Sequence, residues 1–379
     1  MSFRQYTYLL VILFLFPKVS ASGQSSVALD SLGRIQLEHE IGQMLMVGIR
    51  GTQLDMELMA QTQQQVSDGE IGGIIFFKHN IKNKSQLKNF INEIQNLSPT
   101  LPLFMAVDEE GGKVRRLRKS QGFNEFPSAA YVGNNLSLEE AREIYLGMAD
   151  QIHTAGLNLN LGPVVDVNTN PSSPAIGKLK RSFSSDPETV YNYSKAFVDA
   201  HHEASVLTTL KHYPGHGSSR EDTHNDLTDI THSWNDQEQI PFKRLIESSS
   251  VDMIMAGHLF NHDLDAKYPA SLSYAHIQKN LRDKLGFQGV VITDDLQMGA
   301  IIKRFSLDEI IIAAVNSGSD ILQFSDPLDL DDDLPAHIRE VILQAIAEGE
   351  IDADRIHESY ERISSLKDKL KRGNNNDSK

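Results

Sequence analysis

Cysteine is absent from all 379 residues. That excludes disulfides, thiolate metal sites and cysteine nucleophiles together, while leaving the compartment open. Long apolar runs are missing too. The most apolar stretch, Tyr6 to Phe16, falls far short of the roughly 20 residues a membrane span needs. There is no basic cluster, and the net charge is −15, which excludes nucleic acid as a partner. An acidic surface otherwise reads as solubility.

What remains is 40% hydrophobic and 23% charged, enough to bury a large core. The first residues speak to compartment. Arg4 precedes the apolar run, Pro17 and Lys18 follow it, and Val19-Ser20-Ala21 offers small residues at a cleavage position. Residues 1–21 read as a secretory signal peptide, giving a periplasmic or secreted protein with no stable membrane anchor after cleavage. An uncleaved N-terminal anchor is the alternative.

From there a rhythm sets in. Short apolar runs occur at Leu45–Ile49, Ile71–Phe77, Leu103–Val107, Leu157–Val167, Val206–Leu210, Val251–Ala256, Val290–Thr293 and Ile321–Phe324. Segments of helical periodicity separate them, among them Ser85–Leu97, Leu138–Ala155, Pro187–Ala204 and Leu307–Ser317. Continuous apolar strands alternating with helices argue for a parallel sheet covered on both faces. Eight such units predict an α/β fold, a (β/α)8 TIM-type barrel forming a single catalytic domain over residues 22–371. The rival is a doubly wound open sheet, which lacks support because no Gly-x-Gly-x-x-Gly follows the first strand. Ile338 to Leu370 predicts one or two amphipathic helices on the barrel. Asp329 to Asp333 reads as a solvated acidic loop, and residues 372–379 as a disordered polar tail.

Charged residues fall just after the apolar runs: Asp108-Glu109-Glu110, Asp166, Lys211-His212, His258, Asp294-Asp295 and Asp326. In a barrel those strand ends share one rim, where active sites lie. Asp294 at a strand end could attack an anomeric carbon. It could equally cap the helix that Leu296-Gln297-Met298 would begin. Two adjacent aspartates serve both readings, so attack is assigned to Asp294 and a supporting role to Asp295. Asp222 and His224 stand two apart, so both can point the same way as a carboxylate–imidazole pair. Taken alone, Asp-x-His is more often an ordinary loop salt link. His212, His216 and His224 lack the helical spacing of zinc signatures, so no metal and no cofactor is expected. Asp108, with Gly111-Gly112 and Arg115-Arg116 behind it, fits a sugar clamp or a solvated turn. The neighbouring carboxylates exclude a phosphate loop.

Four motifs in order carry a resemblance. They are Val107-Asp108-Glu109-Glu110-Gly111-Gly112, Gly162-Pro163-Val164-Val165-Asp166-Val167, Lys211-His212-Tyr213-Pro214-Gly215-His216-Gly217 with Asp222-Thr223-His224, and Thr293-Asp294-Asp295-Leu296 with Met298. Over roughly Ile41 to Leu366 the chain resembles the single-domain bacterial β-N-acetylglucosaminidases (β-N-acetylhexosaminidases) of glycoside hydrolase family 3. The resemblance implies a retaining exo-hydrolase acting on terminal non-reducing β-linked N-acetylglucosamine of an oligosaccharide. A monomer is expected, with peptidoglycan fragments, chitin oligosaccharides and glycan ends all open as its substrate. It implies Asp294 as nucleophile, His224 as acid/base with Asp222 as its partner, and Asp108, Arg116, Arg181, Lys211 and His212 as the residues holding the sugar. The chain departs from the family pattern in the Lys178-Leu179-Lys180 stretch ahead of Arg181 and in lacking a proline after His224. A β-glucosidase or xylosidase, a phosphorolytic variant, and a secreted sugar-binding protein without catalysis are the competing expectations.

Overall fold

A computed structural model of the chain describes residues 31–223, 228–326 and 333–376. The signal segment, His224, and Asp329 to Asp332 of the acidic loop lie outside the described residues, as does the end of the tail from Asp377.

The strands are β1 (Leu45–Gly48), β2 (Gly73–Phe76), β3 (Phe104–Val107), β4 (Leu159–Asn160), β5 (Leu207–Tyr213), β6 (Thr228–Asp229), β7 (Met253–Ala256), β8 (Leu259–Phe260), β9 (Val290–Thr293) and β10 (Leu322–Phe324). Eight of them form one parallel sheet in the order β10-β1-β2-β3-β4-β5-β7-β9. A parallel bridge between Ile292 and Ile321 joins the two ends, and the Thr293 N–H donates to the Ile321 carbonyl at 3.0 Å. The sheet is therefore a ring, a (β/α)8 barrel, and the open doubly wound alternative is excluded. The short strands β6 and β8 pair separately, in parallel.

Strand residues alternate between two cores, as a period of two requires. Ile74 and Phe76 pack with Leu87, Phe90 and Ile91 of the helix Lys84–Gln95. Ile75 joins the other cluster, with Met46, Phe104, Ala106, Leu159 and Met255. Burial on both faces explains why the strands read as unbroken apolar runs. The intervening helices start at side-chain caps: Asn83 accepts from the Gln86 N–H, Ser137 from Glu140, Asp186 from Thr189 and Ser306 from Glu309.

Two helices close the chain, Leu334–Glu348 and Ala353–Asn376. The second crosses the barrel mouth at the N-terminal ends of the strands. Its Lys367 Nζ donates to Gln43 Oε1 at 2.7 Å and to the Gly72 carbonyl at 2.8 Å, just before β1 and β2. Lys369 reaches Asp252 ahead of β7, and Arg355 and Arg362 reach Asp320 ahead of β10. This helix continues through Asn376, past Arg372, where composition alone had placed the start of a disordered tail. Extending an anchored helix costs far less than starting one.

Candidate active site

The opposite mouth carries the charged residues. β3 ends at Val107, and Asp108 follows on the rim. Its Oδ1 accepts from Lys211 Nζ at 2.8 Å, and its Oδ2 from Arg116 Nη2 at 2.9 Å. Glu110 takes the second contact of Lys211 at 2.8 Å and a two-pronged bond from Arg181, Nε and Nη2 each at 2.8 Å. Two carboxylates thus share three cations, with Lys211 bridging them. Burial alone would raise both carboxyls. Lys211 and Arg116 more than offset it at Asp108, which stays far below the usual carboxylate range. Arg181 and Lys211 pull Glu110 down to about 2. Asp108 keeps 16% of its side chain exposed and Glu110 only 5%. Asp108 is therefore the member a ligand can reach, and Glu110 the support beneath it.

The glycine pair behind Asp108 serves the packing of the chain on itself. Gly111 and Gly112 have φ of +84° and +61°, and a Cβ on Gly111 would sit 2.3 Å from the Pro127 carbonyl oxygen. The close approach is to neighbouring backbone, and the Gly112 N–H donates to Phe126.

At the end of β5, Lys211 and His212 are strand residues, both buried. His212 Nδ1 lies 2.8 Å from Asp166 Oδ2, and its Nε2 lies 3.3 Å from Arg181 Nη2. A guanidinium only donates, so Nε2 accepts and Nδ1 carries the hydrogen given to Asp166. Asp166, fully buried, also accepts the His212 and His216 N–H groups at 3.1 and 2.8 Å. His216 Nδ1 bonds Ser219 Oγ at 2.7 Å, and burial, then His212, pushes its imidazolium form down to about 4. Among the described residues, no three His, Asp or Glu side chains are placed to hold a metal ion.

β9 delivers Asp294. Its N–H donates to the Ala256 carbonyl at 2.9 Å, and its Oδ1 accepts the Asp295 N–H at 2.8 Å. Asp295 turns away into the structure, where its Oδ1 accepts from Gln297 and Ser325, each at 3.1 Å. Burial, with Asp294 alongside, raises its carboxyl above the usual range. The two aspartates thus divide as their sequence allowed, one on the rim and one in a turn.

The segment bearing Asp222 is tied to the same place. The Thr223 carbonyl accepts from the Ala300 N–H at 3.3 Å, just beyond Asp294 in sequence. At Thr228 the chain pairs with Leu259, beyond β7. His224 falls between these two anchors, outside the described residues. The structure therefore brings Asp108, Arg116, Arg181, Lys211 and His212 into one network. Asp294 stands on the same rim, and the Asp222 segment is pinned beside it. Glu110 and Asp166 were visible as rim charges but not as members of the network. Their signal was position directly after a strand, which gave them no partner.

A parallel eight-stranded barrel with a rim of paired carboxylates, arginines and histidines defines a class of enzyme scaffold. The chain belongs to glycosyl hydrolase family 3: residues 36–366 match the model of that family's N-terminal domain. It is 35% identical over 283 residues to a beta-hexosaminidase of Tolumonas auensis, covering 73% of this chain and 81% of that one. It is 31% identical over 336 residues to beta-hexosaminidase A of Pseudoalteromonas piscicida, covering 83% of this chain but only 56% of the longer relative. A solved family 3 beta-N-acetylglucosaminidase from Paenibacillus superposes with a TM-score of 0.81 at 30% identity, covering 88% of this chain and 62% of that one. A beta-N-acetylhexosaminidase from Beutenbergia cavernae gives 0.77 at 26%, covering 87% and 98%.

Proposed function

We propose that the protein is a retaining exo-glycosidase that removes terminal β-linked N-acetylglucosamine from an oligosaccharide. The observation that carries this reading is the shared rim. Asp294 is held by backbone bonds at the end of β9, across from the Asp108–Lys211–Glu110–Arg181 network. In that network Asp108 accepts from vicinal sugar hydroxyls, while Arg116, Arg181, Lys211 and His212 position it or donate to the sugar. The names of the relatives support N-acetylglucosamine as the sugar.

The reaction runs in two steps. An Asp294 oxygen bonds the anomeric carbon as the glycosidic bond breaks, and His224 gives its proton to the leaving oxygen. His224 then takes a proton from water, which attacks the same carbon, releases Asp294 and yields the sugar with retained configuration. Asp222 orients the imidazole and stabilises its charged form. The Arg4–Ala21 pattern supports an exported enzyme.

The test is covalent trapping. A 5-fluoro N-acetylglucosaminyl fluoride should label the peptide containing Asp294, and Asp294→Ala should release no nitrophenol from the 4-nitrophenyl N-acetylglucosaminide. His224→Ala should lower kcat on that substrate by roughly 10²–10⁴-fold, the worth of a general acid/base. Label on any other residue, or turnover by Asp294→Ala, sinks the assignment.

A further inference from the structure

We propose that His258 is a positioning residue for the Asp294 carboxylate, acting through its hydrogen bond to the Asp295 carbonyl. The inference rests on Asp294 being the nucleophile. His258 follows β7 and is fully buried, out of reach of a sugar on the rim. Its Nε2 lies 2.8 Å from the Asp295 carbonyl oxygen, and its Nδ1 lies 2.7 Å from Ser271 Oγ. A carbonyl oxygen only accepts, so Nε2 carries the hydrogen. In the neutral ring Nδ1 then accepts from the Ser271 hydroxyl.

Ser271 is itself fixed. It is fully buried, and its N–H donates to the Gly257 carbonyl at 3.1 Å, folding the chain beyond β7 back over His258. The Asp295 carbonyl therefore selects the tautomer, and the fixed Ser271 hydroxyl, donating to Nδ1, holds the ring where it serves that carbonyl.

Asp295 is the residue whose N–H holds Asp294 Oδ1 at 2.8 Å. Four bonds set its orientation. Its own carboxylate accepts from the Gln297 and Ser325 N–H groups, and its carbonyl accepts from His258 at 2.8 Å and from the Met298 N–H, one turn on, at 3.0 Å. An N–H aimed at one carboxylate oxygen fixes the plane of that carboxylate. Attack on an anomeric carbon needs the reacting atoms in a near-attack arrangement, so a turn that wobbles slows the chemical step more than binding.

The experiment compares His258→Gln with His258→Asn, variants of nearly equal size and polarity. The glutamine amide reaches the place of Nε2 and keeps the bond to Asp295. The asparagine amide reaches the place of Nδ1 and keeps only the bond to Ser271. His258→Asn should lose roughly 10- to 100-fold in kcat, the effect of a lost buried hydrogen bond, with KM little changed. His258→Gln should recover most of that loss. Rates of trapping by the fluorinated sugar should follow the same order, with the label on Asp294 throughout. Label on another residue would overturn the nucleophile reading beneath the inference. Label on Asp294 at equal rates in both variants, or a fall in KM-dependent binding alone, would overturn the role of His258 and leave that reading intact.

Discussion

Neighbouring cations decide which way three buried carboxyls shift, those of Asp108, Glu110 and Glu238. Asp108 and Glu110, next to Lys211, Arg116 and Arg181, are held as anions. Glu238, on the turn Asp236–Gln239 beneath the loop after β5, is also fully buried, and no salt bridge reaches it among the described residues. Its Oε2 accepts the Ser218 N–H at 3.1 Å, and its Oε1 has no partner among the described residues. Burial, with the Asp166 charge adding to it, raises its carboxyl to about 8. The unfolded chain releases that proton in the usual carboxylate range. Between there and about pH 8 the folded state holds the extra proton, so stability falls as pH rises through that window. We expect the thermal midpoint of the wild type to drop from about pH 6 to about pH 9. Glu238→Gln should drop several degrees less over the same range. Parallel curves would remove Glu238 as the titrating group. None of this was legible in the sequence, where Glu238 is one acid in a polar stretch. A buried acid is recognised by what surrounds it, and its neighbours Gly215, Gly217 and Asp166 come from other parts of the chain.

At the scale of elements, all eight barrel strands were legible, because burial on both faces writes each as a continuous apolar run. Their lengths were not. β4 is only Leu159–Asn160 of an expected Leu157–Val167, since Gly162-Pro163 interrupts the ladder before Val164 bridges to Lys211. β5 runs on to Tyr213, beyond the expected Leu210, through two residues whose polarity reads as loop. Lys211 and His212 are tolerated in a buried strand because Asp108, Glu110 and Asp166 meet them there. The pair β6 and β8 was missed, being too short to show a period. The loop after β5 is shaped as closely as any strand. A Cβ on Gly217 would lie 1.6 Å from the Val167 carbonyl oxygen, a backbone atom that cannot swing aside. Gly217→Ala must push the loop off the β4 segment that holds Asp166. We expect a loss of about 1–3 kcal/mol in urea unfolding, the usual cost of overpacking. We also expect a larger fall in kcat than in affinity, because the displaced loop leads to Asp222. Wild-type stability with wild-type turnover would show that the loop shifts without consequence.

The whole molecule separates two jobs between the two mouths of one barrel. Sugar chemistry is assigned to the C-terminal rim, while the N-terminal mouth is tied shut by the last helix. The amphipathic pattern of that helix was legible but its address was not, because its anchors lie far back in the chain. The strongest anchor is Asp320, fully buried just before β10. Its Oδ2 accepts from Arg282 at 2.6 Å and the Val291 N–H at 2.8 Å. Its Oδ1 accepts from Arg355 at 2.9 Å, Ser359 at 2.9 Å and Arg362 at 3.1 Å. One carboxylate thus joins β9, the Ala275–Lys284 helix and the closing helix, and it neutralises part of three arginines. Burial would raise it, but those arginines, Arg282 first, hold it below the usual range. Removing it leaves three cations facing one another across a closed mouth. Asp320→Ala should therefore cost about 3–5 kcal/mol, the cost of stripping one partner from a buried ion network. The urea midpoint reads that loss directly. KM and the rate of labelling at Asp294 should stay at wild-type values in the fraction that remains folded, since the rim lies at the other end of the strands. A variant of normal stability with altered KM would show instead that the two mouths are coupled through the barrel.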